Sequence, residues 1–257
     1  MEAGLPDSSQ RFAGQGVIVT GAARGIGAAT AARFAAEGAR VLLVDLAPEV
    51  QATAAATGGT ALVLDIAARD AGRRIAEAAL AACGRIDVLV NNAGVGGSRR
   101  LADSDDALLE RIIDINLGAL LRVTRDVSPH LTRPGGRIIN VSSIFGLVGY
   151  PGTTAYAVAK AGVAQFTRQL ASELTPEGIL VNAVAPGVVV TPMTEARLRD
   201  PHYIRLQVQP TPLGRVSQPE EQAAVIAFLA SADASFISGV TIPVDGGYTA
   251  ARYTPLD

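Results

Sequence analysis

Short apolar runs of four to six residues recur along the chain, and between them lie longer Ala-rich stretches whose apolar positions return at helical spacing. Runs that are apolar at every position, not only at alternate ones, suit strands buried on both faces, as in a parallel sheet covered by crossover helices. Val17 to Thr20 (VIVT) reads as the first such strand. A helix follows from about Gly25 to Glu37 and stops at Gly38. Then the period repeats, with strands at Arg40–Val44, Ala61–Leu64 and Asp87–Val90, a short helix and turn over Gln51–Thr60, and an Ala-rich helix over Ala67–Cys83. Three more strands, Arg137–Val141, Leu180–Ala185 and Val240–Val244, bring the expected total to seven. Helices are predicted over Asp105–Leu131, Thr154–Leu174 and Pro219–Ala230. The pattern predicts an α/β fold, a doubly wound parallel sheet with helices on both faces.

The segment 188–216 breaks this rhythm, carrying four prolines and mixed polarity between two regular strands. Long irregular insertions in compact domains are usually lids or binding loops, so it is assigned to the substrate. No Pro/Ser/Gly-rich linker interrupts the middle, and the 257 residues are read as one domain, with 1–12 and 248–257 as tails.

Composition narrows the chemistry. The chain is 49% hydrophobic and 18% charged with a net charge of −2, and its Lys and Arg are scattered. That excludes an electrostatic footprint for nucleic acid and a polybasic patch for lipid, leaving a small-molecule substrate as the expected partner. The single cysteine, Cys83, excludes an intrachain disulfide, and neither His130 nor His202 has a second ligand at metal-binding spacing, so no metal is expected. The N-terminal stretch is polar and no run of about eighteen apolar residues occurs, which predicts a cytoplasmic protein without a membrane span.

Two features carry chemistry. Gly21, Gly25 and Gly27 follow the first strand and open a helix, so backbone N–H groups and the positive helix end can approach a pyrophosphate. Their spacing is wider than G-x-G-x-x-G. Asp45 ends the second strand about 20 residues further on, where a carboxylate accepts the ribose hydroxyls and repels a 2′-phosphate. NAD is therefore expected over NADP, with Arg24 inside the turn as the one residue favouring a phosphate. Tyr156 and Lys160, at i and i+4, share a helix face, where the cation can make phenol deprotonation easier.

The motifs TGAARGIG (20–27), NNAG (91–94), NVSS (140–143), YAVAK (156–160), PG (186–187) and DGG (245–247) occur in the order found in the short-chain dehydrogenase/reductase family, which the chain resembles over nearly its whole length. The resemblance implies a single Rossmann-like domain and a catalytic set falling on Asn116, Ser143, Tyr156 and Lys160. It also implies coenzyme contacts along Gly21, Arg24, Gly25, Ile26 and Gly27, at Asp45 and Leu46, at Asp65 and Ile66 beside adenine, and at Asn92, Ala93 and Gly94 near the nicotinamide. Pro186, Gly187, Val189 and Thr191 complete that set, together with Tyr156 and Lys160. Family members are commonly homotetramers built on the long helices and the last strand, and the tail with Tyr248, Tyr253 and Leu256 either packs on a neighbouring subunit or frays.

A hydride leaves a carbinol carbon only as the hydroxyl proton is lost, so a base on the oxygen and an acceptor ring facing the carbon are required. An ordinary phenol is too weak a base, and Lys160 with the oxidised nicotinamide is the expected source of the roughly 3 to 4 kcal/mol that would lower its pKa. Ser143 would hold the substrate oxygen. It is preferred to Ser142 because strand alternation sends neighbours to opposite sides. Asn116 resembles the family residue that organises a water chain from Lys160. The residues beside these positions, Val95, Phe145, Val148, Tyr150, Val188, Met193, Leu198 and Tyr203, are mostly apolar, predicting a pocket for a hydrophobic secondary alcohol or ketone. Phe145, Tyr150, Val188 and Met193, with Ser143 and Tyr156, form the expected substrate contacts, and no Arg cluster is evident to clamp an anion. The rival expectations are an NADPH-dependent 3-oxoacyl-carrier-protein reductase and a non-catalytic nucleotide-binding scaffold.

Overall fold

The computed structural model describes residues 10–97 and 99–251. Seven parallel strands, β1 (Gly16–Thr20), β2 (Arg40–Asp45), β3 (Thr60–Val63), β4 (Val88–Asn91), β5 (Arg137–Val141), β6 (Leu180–Pro186) and β7 (Thr241–Val244), lie in the order β3-β2-β1-β4-β5-β6-β7. The helices are α1 (Gly25–Ala36), α2 (Val50–Thr57), α3 (Ala71–Cys83), α4 (Asp106–Ile113), α5 (Ala119–Val127), α6 (Thr154–Leu174), the single turn α7 (Pro201–Tyr203) and α8 (Pro219–Ala230).

Strand alternation divides the core in two. Val17, Val19, Val41 and Leu43 point to the face covered by α1, α2 and α8, where they meet Phe34, Val50 and Ile226. Ile18, Leu42 and Val44 point to the other face and meet Ile75 of α3, Val123 of α5 and Leu170 of α6. The inner strands are therefore buried on both sides, which is why their sequences are apolar at successive positions, whereas the edge strands β3 and β7 are only partly covered. The sheet is wound outward in both directions from β1 and β4, and the crevice at the carboxyl ends of these two strands is where an open α/β sheet binds its ligand.

The structure corrects several boundaries. Residues 10–12 belong to the body rather than to a tail: Phe12 is fully buried edge-on to Phe34 at 4.7 Å, and Arg11 pairs with Glu37 at 2.6 Å. At the other end residues 247–249 are held by Asp245, whose carboxylate accepts from Gly247 N at 2.9 Å and Thr249 N at 2.8 Å. Tyr253 and Leu256 lie outside the described residues. Helix α3 starts at Ala71 instead of Ala67, because Asp65 accepts from Ala67 N and turns the chain first. The helix expected over Asp105–Leu131 is interrupted by a π-turn at Asp114–Gly118 between α4 and α5, and a 3₁₀ turn at Ser128–His130 ends it.

Candidate active site

The glycine turn sits in the crevice, pinned from the side by the Asn-Asn-Ala-Gly segment. Asn92 Nδ2 donates to the carbonyls of Thr20 at 2.9 Å and Gly21 at 3.0 Å, and Thr20 Oγ1 accepts from the backbone N–H of Asn92 at 3.1 Å and Ala93 at 3.2 Å. Asn91 plays a different part. Its buried amide donates to Thr124 and to Asn140, which in turn donates to Thr167, tying β4 and β5 to α5 and α6.

The local structure fits a dinucleotide. Helix α1 begins without a side-chain cap and without an acidic residue in its first turn, so its N–H groups and positive end face the crevice unneutralised. Gly27 is required by close packing, since a Cβ there would lie 2.0 Å from the Gly21 carbonyl oxygen. Asp45, at the end of β2, is oriented by two backbone donors, Ala23 N and Ala47 N, each at 2.9 Å. Leu46 beside it and Asp65 beyond β3 are exposed, whereas the Ile66 side chain is packed in the core. Arg24 projects into solvent from the turn.

At the ends of β4 and β5 the catalytic candidates converge. Ser143 follows β5, and its hydroxyl accepts from Phe145 N at 3.2 Å and is hydrogen-bonded to Tyr156. Ser142 points the other way and donates to the Lys160 carbonyl at 2.7 Å, bracing α6. Tyr156 and Lys160 lie on successive turns of α6, the Lys160 ammonium 5.8 Å from the centre of the phenol ring. Lys160 is buried and its Nζ donates to the Val141 carbonyl at 2.8 Å.

Burial pushes the Tyr156 phenol up, and the hydrogen bond from Ser143 and the charge of Arg197 only partly offset it. Lys160 is itself shifted, its pKa falling to about 8 through loss of hydration.

Asn116 sits within the π-turn, where the widened helix lets its side chain turn inward. Its amide donates to the carbonyls of Val95 and Ile112, each at 3.0 Å, and its carbonyl oxygen accepts from Val95 N at 3.2 Å. Gly94 separates Asn116 from Lys160: a Cβ on it would lie 2.6 Å from Asn116 Oδ1 and 3.5 Å from Lys160 Nζ.

The irregular segment is closed at its base, where Val190 N donates to the Ser217 carbonyl and Ser217 N to the Val188 carbonyl, each at 2.9 Å. Buried Pro186 leads into Gly187 and buried Val189, and Thr191 lies over the glycine turn, 3.1 Å from where a Cβ on Gly25 would stand. Met193 lies against Gly96, and Phe145 stacks on Tyr150 with ring centres 5.1 Å apart.

Arg197 was missed by the sequence reading, which looked for a cluster of arginines. A short 3₁₀ turn at Arg197–Arg199 leaves the charge of Arg197 near enough to the phenols of Tyr156 and Tyr203 to counter in part the upward push of their burial. Nothing in the local sequence distinguishes it from its neighbour Arg199, which pairs with Glu195 one helical turn away. Only the return of the segment over the site makes the difference.

A family model described as Enoyl-(Acyl carrier protein) reductase matches residues 21–249. The chain is 41% identical over 247 residues to a 3-oxoacyl-(acyl-carrier-protein) reductase of Thermotoga maritima, covering 92% of this chain and 98% of that protein. It is 42% identical over 241 residues to a cyclopentanol dehydrogenase of Comamonas testosteroni, covering 91% and 96% respectively. Among solved structures, levodione reductase superimposes with a TM-score of 0.89 at 34% identity, covering 94% of this chain and 100% of the other. With the ordered motifs, the sheet topology and these likenesses in agreement, the chain belongs to the short-chain dehydrogenase/reductase family of oxidoreductases.

Proposed function

We propose that this protein is an NAD-dependent dehydrogenase that interconverts a compact hydrophobic secondary alcohol and its ketone, with Tyr156 as the acid/base. The observation that carries the reading is the joining of Tyr156 to Ser143 by a hydrogen bond, with buried Lys160 beneath, at the crevice beside the glycine turn. The coenzyme, when bound, supplies the hydride acceptor and, in its oxidised form, a positive ring beside the phenol.

Tyr156 takes the carbinol proton as the hydride departs, and returns it in the reverse direction. Ser143 donates its hydroxyl to the substrate oxygen and steadies the alkoxide character that develops there. Lys160, with a pKa of about 8, exchanges protons near neutrality, and Asn116 belongs to the path from Lys160 to solvent. By clasping Val95, the Asn116 amide also holds the backbone that borders the reaction site. Phe145, Tyr150, Val188 and Met193 wall the substrate side, with segment 188–216 as its lid.

Gly21, Gly25, Ile26 and Gly27 would cradle the pyrophosphate, Asp45 and Leu46 the adenosine ribose, Asp65 and Ile66 the adenine. Asn92, Ala93, Gly94, Pro186, Gly187, Val189 and Thr191 would surround the nicotinamide end. The fixed Asp45 carboxylate supports NAD over NADP, because a 2′-phosphate would be brought against a charge held by two backbone N–H groups. Among the described residues no helix is long and apolar enough to cross a membrane. A cytoplasmic homotetramer is the form we infer, supported by the exposed apolar side chains Leu121 and Val158 on α5 and α6 and Phe236 and Val240 beside β7.

A carrier-protein reductase remains the second reading, favoured by the Thermotoga maritima relative. It requires NADPH and an acyl thioester, and Asp45 argues against the first. Replacement Tyr156→Phe decides between an enzyme and a binding scaffold: turnover of secondary alcohols should fall by about a hundredfold or more while NADH still binds by fluorescence. An undiminished rate in that variant would overturn the mechanism.

A further inference from the structure

We propose that Arg122 is a positioning residue of the reaction, bridging the π-turn that carries Asn116 and the turn that follows Asp65, so that one guanidinium seats both the proton path and the adenosine end of the coenzyme. This rests on the dehydrogenase reading above and adds a residue to its machinery.

Arg122 lies in α5, and its Nη1 donates to Asp114 Oδ1 at 2.7 Å while Nη2 donates to Asp114 Oδ2 at 3.0 Å. Nη2 also donates to the Ala67 carbonyl at 3.3 Å, 55 positions back along the chain. Only 16% of the Arg122 side chain is exposed, against 49% for Asp114. The hydrogen bonds from Arg122 hold the Asp114 carboxyl below the ordinary carboxylate range, so the pair stays charged at neutral pH.

This pairing depends on the π-turn. Eight residues of a regular α-helix advance by about 800°, which would leave positions 114 and 122 roughly 80° apart around the axis. A π-turn takes up one extra residue, so here the two positions return to nearly the same face, and an arginine leaning toward the helix N-terminus meets the aspartate. Gly118 leaves the room that the pair needs, since a Cβ there would lie 2.6 Å from Asp114 Oδ1 and 3.2 Å from Arg122 Nη1. The pair thus favours the widened turn from outside, as the clasp between Asn116 and Val95 does from inside. Without it the turn can relax toward regular helix, which rotates Asn116 away from Val95.

The second arm reaches the coenzyme. Ala67 N donates to Asp65 Oδ1 at 2.9 Å, so residue 67 is fixed on one side by Asp65 and on the other by Arg122. Asp65 and Ile66 are the adenine contacts of the reading above, and Arg122 backs their turn. An arginine suits both tasks, because its planar fork serves a carboxylate with two N–H groups and still presents a third. A lysine has a single charged nitrogen and lacks that fork.

The test measures kcat for cyclohexanol with NAD, and NADH affinity by fluorescence, in the wild type and in Arg122→Met, Arg122→Lys, Asp114→Ala, Asn116→Ser and the double variant Arg122→Met with Asn116→Ser. Arg122→Met should lower kcat by about tenfold and weaken NADH binding by about threefold. Asp114→Ala keeps the Ala67 contact, so kcat should fall while NADH affinity stays within about twofold of the wild type. Arg122→Lys should recover part of kcat. In the Asn116→Ser background, Arg122→Met should lower kcat by no more than about twofold, because the residue that it positions is already gone. The full loss repeated in that background would make Arg122 a general brace of the fold and overturn the proposal, as would an unaltered kcat or NADH affinity in Arg122→Met. If Arg122→Met does not fold, Asp114→Ala decides, and an unchanged kcat there would overturn the proposal equally. These outcomes leave the dehydrogenase reading intact. A wild type that forms no NADH from cyclohexanol or cyclopentanol would overturn that reading instead, and the NADH titrations would still judge the adenosine arm.

Discussion

Lys160 shows how a single side chain can be costly to the fold and useful to the site. Its ammonium is buried and donates to the Val141 carbonyl, and its pKa falls from 10.5 to about 8. The folded state therefore holds this proton more weakly than the unfolded chain, so burial of the charge opposes folding below pH 8. That opposition fades as the pH rises from 8 toward 10.5. Its full size is about 3 kcal/mol. Lys160→Met should accordingly gain stability relative to the wild type at pH 7, and the advantage should shrink by pH 10 in denaturant titrations. A pH-independent difference would contradict the buried charge. Asp45 supports a second prediction. Replacing it by Ala removes both the acceptor of the ribose hydroxyls and the repulsion of a 2′-phosphate, so the ratio of kcat/KM for NAD over NADP should shift by about tenfold or more toward NADP. An unchanged ratio would remove Asp45 from the coenzyme site.

Among the elements, α6 has the most exacting seat. Its backbone at Lys160 passes so close to Gly146 that a Cβ there would lie 2.6 Å from the Lys160 carbonyl carbon and 2.8 Å from Ala161 N. Both neighbours are backbone, so the helix itself must move. Gly146→Ala should destabilise the protein by about 1 to 3 kcal/mol, as overpacking does. It should also lower kcat by drawing Tyr156 and Lys160 away from Ser143, with coenzyme affinity retained, and full activity would show that the contact is soft. The α6 boundaries Thr154–Leu174 were legible in the sequence because the stretch is long and uninterrupted. The π-turn in the α4–α5 helix was not. Asp114–Gly118 has ordinary helix-compatible residues, and its widening is set by the attachment of the Asn116 side chain to Val95, 21 positions away in the sequence.

For the whole molecule, what remains unpaired is informative. The β7 edge carries Val240 and the fully exposed Phe236, while α5 and α6 expose Leu121 and Val158 on the other side. Two separate apolar faces on one subunit suit an assembly with two kinds of interface. Sedimentation at micromolar concentration should give the mass of four subunits, and Phe236→Lys should reduce it to two. A monomer in the wild type would refute the assembly.

Within one chain, the order of apolar runs and Ala-rich helices sufficed for a seven-stranded parallel sheet, because strands buried on both faces and helices packed against them have periods that are local properties of the sequence. The ordered motifs likewise named Ser143, Tyr156 and Lys160, since turns and i, i+4 spacing are local. Position along the chain could not reveal that Phe12 closes the core, that burial raises the Tyr156 phenol, or that the charge of Arg197 comes near it. Those facts depend on desolvation and on contacts between distant segments, which exist only after the sheet has brought β4, β5, α6 and the lid to one crevice.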